Sequence, residues 1–238
     1  MKRRLSAEMA ATRFIGDYFP GCNAVIWAGS CAAGKGSSHS DIDLVIIDDT
    51  CERPFRQSYM AWGWPVEVFV ITSDTYEDLF AANREAGTAA LQRMIAEGRL
   101  LKDNGSGAPI IAEAKRQVAQ GPAPWSLDEM NRCRYEITEL LEDLKEPSNR
   151  GEHCFTALSL AEKVPIFLLR ANECWIGEGK WLYKTLQQFA PEFARAWMDA
   201  IRDCIANGNA QAVTKLAEQA LEPYGGKLFA GYYQESEY

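Results

Sequence analysis

Asp41 and Asp43 stand one residue apart at the head of an apolar run, Leu44-Val45-Ile46-Ile47. Residues i and i+2 of a strand project from the same face. The spacing therefore aims both carboxylates one way, about 6–7 Å apart along the strand. Two converging carboxylates repel each other unless a cation lies between them. A divalent metal is the natural third party, and Mg²⁺ is the usual one where a few carboxylates combine with substrate phosphates. A second feature precedes the pair. Val25 to Ala28 is apolar and ends in Gly29-Ser30, and ten residues rich in Gly, Ser and Ala then lead to the aspartates. Gly29 lets a backbone approach closely. Ser30 offers a hydroxyl and an N–H to a phosphate oxygen. The pattern is strand, small-residue loop, strand, with a metal and phosphate site at the join. A lone Asp-x-Asp is often only a solvated loop end; the coincidence with the Gly-Ser turn favours the site.

Gly29-x-x-x-x-Gly34-Lys35 also follows the first strand, as a phosphate-binding P-loop does. Gly36 stands where that motif needs Ser or Thr, and a strand rather than a helix follows. The P-loop reading is rejected on those two grounds, and Lys35 stays a minor candidate beside Ser40.

Ala28-Gly29-Ser30 and Asp41-Ile42-Asp43-Leu44 resemble the signature of the polymerase-β-like nucleotidyltransferase superfamily. The spelling Ser40-Asp41-Ile42-Asp43-Leu44 is most similar to small bacterial enzymes that adenylylate antibiotics, aminoglycosides among them, and to the minimal nucleotidyltransferases of toxin–antitoxin pairs. The resemblance implies transfer of a nucleoside monophosphate, AMP from ATP, to a hydroxyl of a small acceptor. It implies Asp41 and Asp43 as ligands of two Mg²⁺ ions, and a third acid on a neighbouring strand. It also implies Gly29 and Ser30, with Ser40, at the β- or γ-phosphate of the nucleotide. A minimal nucleotidyltransferase acting on a protein partner and a non-catalytic nucleotide sensor are the alternatives.

Pro65 to Thr72, PVEVFVIT, reads as the strand that would supply the third acid. A charge inside so apolar a run is unusual for a buried strand. If the strand lies beside the aspartates, Glu67 joins the metal set; otherwise it is an edge glutamate facing water. The resemblance also implies a glutamate as base for the acceptor proton. Glu136 and Glu139 share a helix face at i and i+3 and are its candidates, with Glu142 and Asp143 on the same helix. Lys180 follows Gly177 and Gly179 at a helix start, where free N–H groups favour an anion. It is either a triphosphate contact or a surface lysine. Trp175, Trp181, Tyr232 and Tyr233 are candidates for an acceptor pocket or for core.

The elements that must position these residues read as follows. Ser6 to Phe19 is a helix with Ser6 as N-cap and Met9, Ala10, Phe14 and Ile15 as its apolar stripe, ended by Pro20-Gly21. Asp48 to Trp64 is a loop with a short helix, punctuated by Pro54 and Gly63. Arg53 and Arg56 within it are read as solvated rather than phosphate-bound. Asp74 to Arg84 is a helix capped by Asp74, and Thr88 to Glu97 is another, ending at Gly98. Leu100 to Asp103 is a short strand or turn, and Ile110 to Gln120 is helical. Gly121-Pro122-Ala123-Pro124 is the boundary. Beyond it come Ser126 to Lys145, with Ser126 and Glu129 at capping-box spacing, a break at Pro147-Ser148-Asn149, and Glu152 to Cys174 with Pro165 as a kink. Lys180 to Phe189, Glu192 to Ala206 and Ala210 to Leu221 follow. The expected fold class is α+β. A nucleotidyltransferase domain with a small mixed sheet and flanking helices spans 1–120, and a helical acceptor-binding bundle spans 125–238. In the antibiotic enzymes that this split resembles, nucleotide and acceptor meet in the cleft between the two parts.

Composition sets the remaining bounds. The chain has 238 residues, 47% hydrophobic and 24% charged, with a net charge of −8. Long nucleic acids need a basic surface, so none is expected as a partner. An acidic protein suits a nucleotide plus a small hydroxylated acceptor, and a cationic acceptor best. No run approaches the roughly 20 apolar residues of a membrane span. Seven scattered cysteines without a CxxC pair, and a basic N-terminal stretch without a secretory apolar run, predict free thiols in a cytoplasmic protein. Two histidines leave a structural zinc site without ligands. The protein is expected to be a monomer or homodimer.

Overall fold

The computed structural model describes residues 4–37, 39–147 and 149–235. Met1 to Arg3 of the basic N-terminal stretch and Ser148 of the predicted break lie outside the described residues. The fold is α+β and divides into two units, Met1–Gly121 and Pro122–Tyr238.

The first unit opens with α1 (Ala7–Tyr18), whose Ser6 N-cap accepts a hydrogen bond from the Met9 N–H at 3.3 Å. Ala10, Ala11, Phe14 and Ile15 form its buried face, whereas Met9, expected in that stripe, is 59% exposed. Then come β1 (Ala24–Ala28), a short α2 (Gly29–Ala32), β2 (Ile42–Ile47), β3 (Phe55–Ala61) and β4 (Trp64–Ile71). The unit closes with α3 (Tyr76–Ala86), α4 (Ala90–Glu97), β5 (Arg99–Asp103) and α5 (Gly107–Gln120). Among the described residues the strands make one five-stranded sheet, ordered β3-β4-β2-β1-β5. β2 and β4 run parallel, and the other neighbours are antiparallel.

Period-two alternation gives each face its own core. Val25, Trp27, Ile42, Leu44, Ile46, Val66 and Val68 pack with Phe14 and Ile15 of α1. Ile26, Val45, Ile47 and Ile71 face the other way, against Phe80, Ile95, Ile110 and Ala114 of α3, α4 and α5. Gly98 joins α4 to β5 with extended backbone, not a left-handed cap. A Cβ there would stand 2.3 Å from Ile26 Cγ2 and 2.5 Å from the Met94 carbonyl, so close packing demands the glycine.

Two local expectations are corrected. Residues 55–61 are a strand, not part of a loop with a short helix. They pair antiparallel with β4 through the two-residue turn Trp62-Gly63. Both turn residues have positive φ, +49 and +82, the backbone that lets a tight hairpin follow the strand twist. Tyr59 packs edge-on against Phe14 at 5.0 Å, which holds β3 to α1. Asp74 does not cap α3; Thr75 holds that position, without a side-chain bond to the helix. The Thr75 hydroxyl instead lies 2.9 Å from that of Thr72 and accepts from the Thr72 N–H at 3.1 Å.

The second unit is helical: α6 (Leu127–Asp143), α7 (Arg150–Arg170), α8 (Lys180–Phe189), α9 (Pro191–Asn207) and α10 (Gln211–Leu221). Ser126 and Glu129 form the full capping box at the start of α6. Ile137, Leu160, Phe167, Leu186, Trp197 and Leu221 are among its core residues. Pro165 lies inside α7 and has no N–H to give the Ala161 carbonyl. The Trp197 indole N–H of α9 donates to that carbonyl at 3.4 Å. Trp197→Phe is therefore expected to cost about 1–2 kcal/mol through the stranded carbonyl. In a Pro165→Ala background the cost should shrink, because the new N–H takes the carbonyl over. Denaturant unfolding of the four proteins measures this, and an equal cost in both backgrounds would discard the link.

Among the described residues no helix is long and apolar enough to cross a membrane. The seven cysteines are free, with Cys22, Cys133 and Cys204 buried.

Candidate active site

Asp43 is the second residue of β2 and lies opposite Ala28 of β1 on one side and Glu67 of β4 on the other. Because β2 and β4 run parallel in that register, Asp43 and Glu67 stand side by side on one face. Asp41 immediately precedes β2. One ligand oxygen from each of Asp41, Asp43 and Glu67 lies within 4.8 Å of the others. All three residues are half-buried. Glu67 thus takes the neighbouring-strand position rather than facing water at an edge.

The electrostatics follow from this crowding. The Asp43 carboxyl is pushed up to about 6, first by burial, then by the charges of Asp41 and Glu67; Arg56 opposes the shift. The Cys31 thiol is raised too, by burial first and then by Asp41 and Asp43. The negative field therefore extends over α2. Arg56 answers it from β3, where its Nη2 donates to Glu67 Oε2 at 2.7 Å.

Gly29 begins α2 directly after β1, with φ +75. A Cβ on it would stand 2.0 Å from Asp43 Oδ2. The residue is glycine for two reasons at once: the backbone is left-handed, and the Asp43 carboxylate occupies the side-chain space. Ser30 Oγ donates to Ser40 Oγ at 3.2 Å, and Ser40 Oγ accepts from the Ser37 N–H at 2.8 Å. The Lys35 N–H closes the turn on the Ser30 carbonyl at 2.9 Å, while its side chain is exposed. The described residues between Lys35 and β2 form no helix, in keeping with the rejected P-loop.

Gly29→Ala is expected to destabilise the protein by about 1–3 kcal/mol through strain alone. If the three acids hold a divalent ion, it should also weaken Mn²⁺ binding at least about tenfold by displacing Asp43. A Mn²⁺ titration with undiminished affinity would show that the close approach is incidental.

Gly29, Ser30, Ser40, Asp41, Asp43 and Glu67 are thus gathered in the first unit. Lys180, Glu136 and Glu139 belong to the second. Lys180 is the first residue of α8, exposed, with Gly179 at the N-cap and its Nζ 5.9 Å from the Trp181 ring. Glu136 is ion-paired to Lys163 of α7. Glu139 accepts from the Tyr135 hydroxyl at 2.7 Å. Trp175 is buried and Trp181 is 57% exposed, while Tyr232 stacks on Tyr135 at 4.1 Å and Tyr233 is largely exposed.

Arg56, read from the sequence as solvated, is 61% exposed yet pairs with Glu67. Its proximity to Glu67 depends on β3 being a strand, because only then is it a diagonal cross-strand neighbour.

The three carboxylates offer an all-oxygen, hard donor set of the kind that suits Mg²⁺ or Mn²⁺. The raised Asp43 carboxyl and the side-chain space denied at Gly29 fit that use, since a cation at this point would relieve the mutual repulsion.

No protein-family model and no curated protein matches the chain. Among solved structures the chain is similar to a nucleotidyltransferase-like protein from Exiguobacterium sibiricum 255-15. The two are 10% identical with a TM-score of 0.47, over 91% of this chain and 74% of that one.

Proposed function

We propose that the chain is a nucleotidyltransferase that moves a nucleoside monophosphate, AMP from ATP, to a hydroxyl of a small acceptor of the aminoglycoside type. The observation that carries the reading is the convergence of Asp41, Asp43 and Glu67 within 4.8 Å beside the Gly29-Ser30 turn. Carboxylates alone repel a polyphosphate, so this arrangement makes sense with a cation between acid and phosphate. Mg²⁺ bound by the three acids would supply the positive charge that draws electrons from the α-phosphate and eases departure of pyrophosphate.

The chain's own residues do the rest. Asp41, Asp43 and Glu67 hold the ion. Ser30 turns its hydroxyl from Ser40 to a β- or γ-phosphate oxygen, and Ser40 steadies the turn from beneath. Glu136 and Glu139 are both proposed as base for the acceptor's hydroxyl proton; Glu136 pairs with Lys163 and Glu139 accepts from the Tyr135 hydroxyl. The net charge of −8 favours a cationic acceptor over a long nucleic acid.

The test is pyrophosphate release from ATP and Mg²⁺ across aminoglycosides and related aminocyclitols, with Asp41→Asn/Asp43→Asn as the blank. Release that needs both an acceptor and the two aspartates supports the reading. No release with any acceptor, despite measurable Mg·ATP binding, would move the weight to a protein acceptor or to a sensor.

A further inference from the structure

Glu67 reaches the cluster on a side chain with three rotatable bonds, and holding such a chain in one place opposes ion binding entropically. One contact of Glu67 in the first unit bears on this, that with Arg56. β3 pairs with β4 so that Arg56 lies opposite Phe69, and Ser58 lies opposite Glu67. Alternation puts Arg56 on the face that carries Glu67 and Phe69. The guanidinium carbon sits 4.9 Å from the centre of the Phe69 ring, and Nη2 donates to Glu67 Oε2 at 2.7 Å. The guanidinium thus has the Phe69 ring and the Glu67 carboxylate as partners, while its side chain is 61% exposed. Glu67 Oε2 is thereby held, and one oxygen of the same carboxylate lies within 4.8 Å of Asp41 and Asp43 ligand oxygens.

We infer that Arg56 is a positioning residue for the ion site: by clamping one oxygen of Glu67 against Phe69, it presents the other to a divalent cation. The inference rests on the proposed reading of the three acids as an ion site. It adds to that reading a residue that touches neither ion nor substrate. Carboxylates that bind metals are generally oriented by a second hydrogen bond of this kind, and removal of such a partner costs roughly 10–100-fold in metal affinity.

A plain charge effect predicts the opposite sign. Arg56 is a cation beside a cation site, so if it acted only through its field, its removal would tighten ion binding. The two accounts are therefore separable by direction.

The experiment is Mn²⁺ binding by calorimetry, without nucleotide, to the full chain and to Arg56→Gln, Arg56→Lys, Glu67→Gln and the Arg56→Gln/Glu67→Gln pair. The Kd is expected to rise about tenfold in Arg56→Gln. Arg56→Lys should recover part of the loss, since an ammonium keeps one bond but not the planar stack. In the Glu67→Gln background the Arg56 change should shift the Kd less than about twofold, because the clamp has lost its carboxylate. An unchanged or tighter Kd in Arg56→Gln overturns the inference, as does an equal loss in both backgrounds. Failure of the underlying reading looks different: the wild-type chain binds no Mn²⁺, or Glu67→Gln binds it as wild type does, and the inference then falls with it. A chain that binds Mn²⁺ as expected but transfers no nucleotide leaves the clamp standing and removes only the transferase.

Discussion

Asp43→Asn should lower nucleotidyl transfer by about 10³-fold or more, and Asp41→Asn by a similar factor. Each change removes one negative charge from a three-carboxylate set in which no other acid is within reach among the described residues. A deletion of one preorganised electrostatic group typically costs about 10²–10³-fold. On the proposed reading, loss of the ion that the acids would hold would add to that. About 10³-fold corresponds to about 4 kcal/mol at the transition state. Asp43 should be the more sensitive of the two, because it stands between Ala28 and Glu67 in the sheet and has the least freedom to compensate. Pyrophosphate release at saturating ATP and Mg²⁺ is the measurement, with circular dichroism to confirm the fold. A variant that keeps a tenth of wild-type activity would take its aspartate out of the ligand set.

The same substitution should make the ion-free protein more stable. The Asp43 carboxyl titrates at about 6 in the folded chain, against an ordinary 3.8, first because of burial and then because of Asp41 and Glu67. The folded state thus holds the proton more tightly than the unfolded state. No penalty exists below pH 3.8, where both states are protonated. It grows as pH rises from 3.8 to 6 and is fully present above 6. The nominal size is about 3 kcal/mol. Partial exposure lets solvent screen the charges, so about 1–2 kcal/mol is the expected effect. In EDTA at pH 7, Asp43→Asn should therefore be about 1–2 kcal/mol more stable than wild type, and the difference should vanish near pH 4. Mg²⁺ should raise the wild-type Tm at pH 7 by a few degrees and leave the variant nearly unmoved. A stability difference that is flat from pH 4 to pH 7 would refute the strained carboxylate.

Why Glu67 was legible and Arg56 was not is a matter of strand environment. β4 is a central strand with Val66, Val68, Val70 and Ile71 all buried, so a carboxylate among them stands out in the bare sequence. β3 is an edge strand, and Phe55 to Ser58 are all exposed. With little burial to enforce it, FRQSYMA shows no clean alternation. Its turn, Trp62-Gly63, lacks the Asn or Asp that ordinarily announces a tight hairpin. Everything that follows from β3, including the Arg56 contact with Glu67, was hidden with it. α2 is not legible for another reason: four residues are too few to show a helical period. Longer elements with strong caps, α1 with Ser6 and α6 with Ser126 and Glu129, were readable almost to the residue. For Lys180, Glu136 and Glu139 the sequence located the helix positions. It held no sign that Lys163 of another helix would engage Glu136, since that contact spans 27 residues.

The parallel pairing of β2 with β4 has a consequence beyond chemistry. A slip of one residue would keep the ladder's hydrogen bonds but turn each side chain of the slipped strand to the opposite face. Glu67 would then point among Phe14, Leu44 and Val25, where an unpaired carboxylate is costly to bury. The acids of the proposed ion site also penalise the wrong alignment of the strands that carry them. On the proposed reading, ion binding would then reward the right one, so the residues that would serve catalysis would also proofread the assembly of the sheet.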